Sequence, residues 1–437
     1  MIKKLVIVLI AVIAFQSHAQ EGTASPYSFY GIGSLKFKGT VENRSMGGLS
    51  IFTDSIHVNL RNPASYVGPD LKGYPFNGES RPVKFAIGGT QSSVNLKSDG
   101  GSDKANTTTF DYFAVSLPLG KFGAGFGLLP YSSVGYKLEA ANDDGLTSNR
   151  YRGEGGLNKA FLGLGYKISE SLSIGVDASY NFGNIKNSSI AFVYDENDEL
   201  VQYQSRENNR SDLSGLNFNL GLSYKTMLNE KLQLTSGFTY SPKSMLKSNN
   251  TRSFSTIVLN EVTGQEFVIN TIEADLEAQN LKATDLNLPS RISFGAGVGQ
   301  PQEWFVGTEF TFQNTSKFSN PIFELSNAKF VNASTIAFGG FYIPEYDSFS
   351  KYWKRVTYRA GLHFENTGLE INNETINEFG MSFGLGLPVG RLFSNANIGL
   401  ELGKRGTTSQ NLVQENFINL QFSLSLNDRW FQKRKYD

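Results

Sequence analysis

From Val83 to the C-terminus the chain keeps returning to one pattern. Apolar and polar side chains alternate over segments of about ten residues, and turn residues then intervene. The final segment, Phe417 to Trp430, shows it most plainly. Ile418, Leu420, Phe422, Leu424 and Leu426 are apolar, and Asn419, Gln421, Ser423 and Ser425 between them are polar. A strand turns successive side chains to opposite faces, so each such segment has one apolar wall and one polar wall. About ten residues is also the length that crosses a bilayer as a tilted strand.

The pattern recurs with anchors at Val83-Phe85-Ile87, Phe113-Val115-Leu117, Phe122 to Tyr136, Ala160 to Ile168, Leu172 to Phe182, Leu216 to Tyr224 and Leu232 to Tyr240. It continues at Ile292 to Val298, Trp304 to Phe312, Ile336 to Tyr342, Val356 to Phe364, Phe379 to Leu387 and Ala396 to Leu402, before the last segment. About fourteen strands result, an even number as single-chain bacterial barrels have. The polar wall carries Asp177, Lys225, Arg291, Glu309, Arg359, His363 and Glu401. Such side chains are intolerable against lipid and ordinary in a polar lumen. Trp430-Phe431 follow the closing segment, where a membrane–water interface favours aromatic rings.

The connections alternate long and short. Long ones are Asn95–Asn106, Glu139–Arg150, Asn184–Asp212, Pro242–Leu288, Asn314–Lys329, Glu365–Asn377 and Gly403–Gln414; only Pro344–Lys354 breaks the alternation. Outer-membrane barrels have short periplasmic turns and long outer loops, and an even strand count leaves both ends in the periplasm. The expected fold is therefore all-β: a transmembrane antiparallel β-barrel spanning residues 82–431.

Composition agrees. The chain of 437 residues has 40 Lys+Arg and 40 Asp+Glu, which removes the basic surplus of a nucleic-acid binder. Charged residues are only 18%, below the roughly 25% of soluble domains. There is no Cys, so disulfides and thiolate metal sites are excluded. Residues 1–19 read as a signal peptide: Lys3-Lys4, an apolar stretch from Leu5 to Phe15, and Ser17-His18-Ala19 before cleavage near Ala19. Export without a helical anchor points to an integral outer-membrane location.

Residues 20–81 do not alternate. Gly31-Ile32-Gly33, Ser45-Met46-Gly47-Gly48 and Asn62-Pro63-Ala64 punctuate them into tight turns. The stretch is too long for a leader loop, and suits a small periplasmic domain or a plug inside the barrel. Residues 432–437 form a short basic tail around Lys433-Arg434-Lys435.

An exported start, a turn-rich segment carrying Ser45-Met46-Gly47-Gly48 and Asn62-Pro63-Ala64, and then about fourteen strands together resemble the FadL-like family of outer-membrane transporters. The resemblance covers nearly the whole mature chain. It implies that residues 20–81 form a hatch, with Asn62, Pro63 and Ala64 as its motif, and that the ligand is a long-chain fatty acid or another hydrophobic small molecule. It also implies a break in the third strand, through which ligand leaves sideways. A branch of the family has lost transport and serves as receptor or accessory barrels in secretion, and the tail from Trp430 to Asp437 resembles that branch as well.

Pro130 falls in the third alternating segment, after a Gly-rich run. Proline has no N–H for a ladder and belongs at edges or bulges. Leu129-Pro130-Tyr131 marks either a lateral gap or a bulge near the strand's outer end, and continuous ladder bonds on both sides would exclude the gap. Gly123, Gly125 and Gly127 lack the Lys-Ser/Thr and helix of a phosphate loop, and suit close approach of the hatch to the wall. Asp195 to Glu199 reads as a solvated acidic loop tip without calcium-loop spacing. Arg359, His363 and Glu365 read as a satisfied polar cluster in the lumen, and no nucleophile–base pair suggests an enzyme. No cofactor or metal is expected. The expected partners are a hydrophobic small molecule or lipid, the surrounding outer-membrane lipids, and other outer-membrane or secretion-complex proteins; nucleic acid is not among them.

Overall fold

The computed structural model describes residues 22–54, 56–67, 83–142, 144–260, 263–318, 327–389 and 394–428. The signal segment, residues 68–82, Trp430-Phe431 and the basic tail lie outside the described residues.

Fourteen antiparallel strands close into one barrel. They are β1 (Val83–Ser98), β2 (Gly101–Leu119), β3 (Phe122–Ala141), β4 (Thr147–Lys167), β5 (Leu172–Ala191) and β6 (Gln204–Met227). Next come β7, in two parts (Gln233–Ser241 and Ser244–Leu259), and β8, also in two parts (Ala283–Leu288 and Arg291–Gln300). The rest are β9 (Trp304–Gln313), β10 (Ala333–Tyr342), β11 (Thr357–Ile371), β12 (Glu374–Pro388), β13 (Asn395–Arg405) and β14 (Gln414–Asp428). Closure is the pairing of β14 with β1, from Gln414 opposite Lys97 to Asp428 opposite Val83. Glu266–Glu273 adds an extra strand against the second part of β7.

The alternation faces the way it was read. Leu162, Leu164, Ile174, Val176, Phe218, Leu220, Phe294, Val306, Phe383 and Phe422 are exposed on the outside. Asp177, Asn181, Asn219, Glu309, Arg359, His363 and Glu401 are buried. Only a lipid-facing surface tolerates so continuous an apolar exterior around a polar interior.

The predicted long loops are mostly strand. Asn95–Asn106 is ladder apart from the turn at Asp99-Gly100. Much of Asn184–Asp212 continues β5 and β6 in register, Asn184 opposite Asp212 through Ala191 opposite Ser205. Pro242–Leu288 holds the second part of β7, the extra strand and the first part of β8. Alternation detects a strand only while one face is apolar. Beyond the membrane both faces meet water, and the ladder continues without that signature.

Residues 22–67 pack against the inner wall. Their regular elements are a single helical turn, α1 (Val41–Arg44), 3₁₀ turns at Pro26–Phe29 and Pro63–Val67, and a two-residue strand, Ser34–Leu35. The wall makes room with glycines in neighbouring register positions: Gly123 opposite Gly165, Gly165 opposite Gly175, and Gly175 opposite Gly221. A Cβ on Gly175 would lie 2.4 Å from the Pro63 carbonyl carbon, and one on Gly361 would lie 2.1 Å from the Gly47 nitrogen. Ile32 joins Val134, Leu157, Leu213, Leu246 and Leu286 in a buried apolar cluster.

Candidate ligand path and wall opening

The Asn62-Pro63-Ala64 turn is held by its own asparagine. Asn62 Oδ1 accepts from the Ala64 N–H at 3.0 Å, and Asn62 Nδ2 donates to the Leu222 carbonyl of β6 at 2.9 Å. One amide thus closes the turn and ties it to the wall. The next ring, Tyr66, lies against Gly125 and Gly163, and its backbone carbonyl abuts Gly123. Two of the three glycines in the Gly-rich run of β3 therefore face the N-terminal segment. Gly127 instead abuts the Phe113 carbonyl of β2.

Pro130 stands where the wall changes. β2 and β3 pair from Leu119 opposite Phe122 only as far as Phe113 opposite Leu128. Above that point β3 keeps its ladder with β4, with an irregularity between Pro130 and Ser132. β2 keeps its ladder with β1 up to Gly101. The facing edges, Gly101–Tyr112 of β2 and Leu129–Ala141 of β3, are not paired with each other. Ser34-Leu35 pair with Ser133 and Ser132 on the β3 edge, and the Lys36 N–H donates to the Tyr131 carbonyl at 3.0 Å. A bulge and an interrupted ladder thus coexist here. Leu129 is buried, and the Lys159 ammonium sits 4.7 Å from the centre of the Tyr131 ring.

Behind the interruption lies a cavity of about 180 Å³, whose lining includes Thr90, Thr107, Thr109 and Asp111 from the wall, Lys36 from the N-terminal segment, and Pro130. Thr90 and Thr109 both donate to the Asp111 carboxylate. Deeper in, the same cavity meets Arg44, Glu378, Glu401, Arg405 and Glu415. A second cavity of about 110 Å³ is mostly apolar and aromatic, with Tyr27, Tyr30, Phe318, Phe330, Leu369 and Ile376 in its wall beside Glu365 and Arg405. The two share Ser34, Leu35 and Arg405.

Arg359 lies in one arrangement, and His363 and Glu365 share another around Glu378. Arg359 Nη1 donates to Asn397 Oδ1 at 3.1 Å, and Asn397 donates to Glu42 Oε1 at 2.6 Å. His363 Nε2 lies 3.1 Å from Glu378 Oε1, and Arg405 Nε donates to Glu378 Oε2 at 2.6 Å. Glu365 lines the apolar cavity. Sequence alone does not show the ionic links to the N-terminal segment: Arg44 with Glu401 and Glu378, and Arg61 Nη2 with Glu309 Oε1 at 2.8 Å. Its one available signal was acidic residues at inward strand positions. Their partners lie in a stretch without periodicity.

Near Asp54 the anchoring is again ionic. The Asp54 carboxylate is 2.6 Å from His57 Nδ1, and the Lys84 ammonium of β1 donates to the Asp54 carbonyl at 2.8 Å. Burial disfavours the Asp54 charge, but His57 and Lys84 outweigh it and hold the carboxyl well below the usual carboxylate range.

The sequence profile of one family, BamG, matches residues 1–437. The chain belongs to the BamG family. This family is FadL-like, and the similar solved structures include FadL-family barrels. The toluene transporter TodX of Pseudomonas putida is 14% identical, with a TM-score of 0.58 over 91% of this chain and 100% of that one. The toluene transporter TbuX of Ralstonia pickettii is 12% identical, with a TM-score of 0.56 over 90% and 100%. A FadL homologue of Pseudomonas aeruginosa is 13% identical, with a TM-score of 0.56 over 91% and 99%. Among curated proteins there is no match. At these identities the likeness is one of fold, a FadL-type β-barrel.

Proposed function

We propose that this barrel admits a small hydrophobic molecule to its lumen and releases it sideways, with residues 20–81 acting as a hatch. The carrying observation is the interrupted ladder between β2 and β3, with a cavity directly behind it. The apolar cavity around Tyr30, Phe318 and Leu369 is the binding element. Its volume, about 110 Å³, is below the roughly 150 Å³ of an engineered cavity that binds benzene. A single ring or one end of an acyl chain suits it better than a whole long-chain fatty acid. The Asn62-Pro63-Ala64 turn anchors the hatch, and Leu129-Pro130-Tyr131 marks the rim of the exit. The solved neighbours named as toluene transporters support the ligand class.

The test is direct binding of a single-ring probe, toluene, to the purified full-length barrel in detergent. Leu369→Trp fills the cavity and should abolish binding while heat-modifiable migration on gels stays that of a folded barrel. Absence of binding by the unaltered protein overturns the reading.

A second reading, an accessory barrel of an outer-membrane assembly or secretion complex, has an observation in its favour. Buried ion pairs pin the N-terminal segment to the wall, and the apolar cluster around Leu157 and Leu246 fills further interior space. That packing favours an immobile lumen. Purification from envelope, with bound lipid and co-purifying protein both measured, separates the readings: stoichiometric protein without ligand supports the second.

A further inference from the structure

The cavity framed by Tyr30, Phe318 and Leu369 holds one side chain that its aromatic surroundings do not satisfy. Glu365 lines it, yet this carboxylate makes no hydrogen bond and no ion pair with any described residue. A carboxylate among apolar groups is costly without a partner. The ladder adds to that cost, because Glu365 stands directly opposite Glu378 between β11 and β12. Like charges in opposed positions repel. Arg405, in the same wall, is already engaged. Its Nε donates to Glu378 Oε2 at 2.6 Å, and its Nη1 lies 4.0 Å from Glu415 Oε2.

The wider cluster shows the same imbalance. Four carboxylates, Glu365, Glu378, Glu401 and Glu415, meet two guanidinium groups, Arg44 and Arg405. Arg291 also acts on Glu365, but from beyond ion-pair distance. With His363 neutral, these three cations leave one carboxylate over. Ser34 Oγ, in the wall that the two cavities share, is buried and has no hydrogen-bond partner among the described residues. One wall thus offers two acceptors that lack a donor. The rings complete the environment. Tyr27, Tyr30, Phe318 and Phe330 line the cavity, and Phe318 meets Phe330 edge to face with centroids 4.8 Å apart. The faces of such rings attract organic cations.

We infer that this cavity is a site for a small organic ammonium, a primary amine carried on a single ring or a short apolar chain. The ammonium pairs with Glu365, with Ser34 Oγ as a second acceptor in the same wall, and the apolar part lies among the four rings. A carboxylate ligand instead meets Glu365 as a like charge and finds Arg405 taken. The inference rests on the reading of this cavity as a ligand site and narrows the chemistry of the ligand.

The test measures equilibrium binding of toluene, benzylamine and benzoate to the purified full-length barrel in detergent at neutral pH. The three probes share one ring and differ in charge. Benzylamine should bind roughly tenfold more tightly than toluene, and benzoate more weakly than toluene. In Glu365→Gln the advantage of benzylamine over toluene should disappear, with heat-modifiable migration reporting a folded barrel. Benzylamine no tighter than toluene overturns the inference, as does benzoate tighter than toluene, or a benzylamine advantage that survives Glu365→Gln. If that variant does not fold, the order of the three probes on the unaltered protein decides. Toluene bound as tightly as benzylamine overturns the ammonium site alone. Benzylamine bound without toluene supports the ammonium site and overturns the neutral ligand of the proposed function, and binding of neither overturns both.

Discussion

Arg44 Nη2 lies 2.7 Å from Glu401 Oε1, so the one helical turn of the N-terminal segment is ion-paired to β13 inside the barrel. Arg44 also stands 3.7 Å from Glu378 Oε1 on β12, and both carboxylates are buried. Arg44→Met leaves them without this cation. Removing one partner of a buried pair costs about 3–5 kcal/mol, whereas replacing both by apolar groups costs far less. Arg44→Met should therefore loosen the segment markedly, read as faster proteolysis of residues 22–67 in an intact barrel. Arg44→Met combined with Glu401→Leu should recover part of the loss. Equal protection in the single variant and the unaltered protein would contradict this.

Gly361 offers a steric version of the same question. A Cβ there would lie 2.1 Å from the Gly47 nitrogen and 2.2 Å from the Met46 carbonyl carbon, both backbone atoms that cannot rotate aside. Gly361→Val should displace the segment while the strands still close. With a cysteine at position 45, thiol labelling in folded barrels should rise sharply over the Gly361 background. Unchanged labelling would mean that the wall yields instead.

The interrupted ladder makes a prediction about amide exchange. Ladder amides bonded on both sides are protected, and those facing an open edge are not. Within Gly101–Tyr112 the amides that face β3 should exchange within minutes in detergent-solubilised protein. The paired stretch of β5 and β6 from Asn181 opposite Gly215 to Leu172 opposite Tyr224 should remain protected. Uniform protection across β2 would show that its edge is covered.

Asp54 sets a pH dependence. Its carboxyl is held below the usual range by His57 and Lys84 despite burial. A depressed native pKa contributes stability above the unfolded value, about 3.9, and loses it as pH falls through the native value. The contribution of this carboxyl to the attachment of residues 50–60, read by limited proteolysis, should be constant between pH 5 and 8 and weaken below about pH 4. Asp54→Asn should remove that acid-dependent component and lower attachment at neutral pH.

Much of this was legible in the sequence for one reason: a strand in a membrane barrel meets two solvents at once. Phe422 and Ser423 declare their faces by type, and the same contrast on each strand yields strand count, closure and the inward set around Asp177 and Glu401. Pro130 marked the disturbed strand because a missing N–H is a local property. The strand extensions beyond the membrane were not legible. Asn208 and Ser188 stand opposite each other in a ladder whose two faces both meet water, and composition there resembles a loop.

What the sequence determined by itself is therefore the barrel, since alternation is a local pattern that only one closed fold satisfies in lipid. Tertiary structure decided the rest. It brought Arg44 to Glu401, Asn62 to Leu222 and Ser34 to Ser133, contacts between a segment without periodicity and strands far along the chain. It also decided that the β2–β3 ladder stops at Phe113 opposite Leu128, because an interrupted ladder is a relation between two strands. No single stretch of residues records the absence of its neighbour.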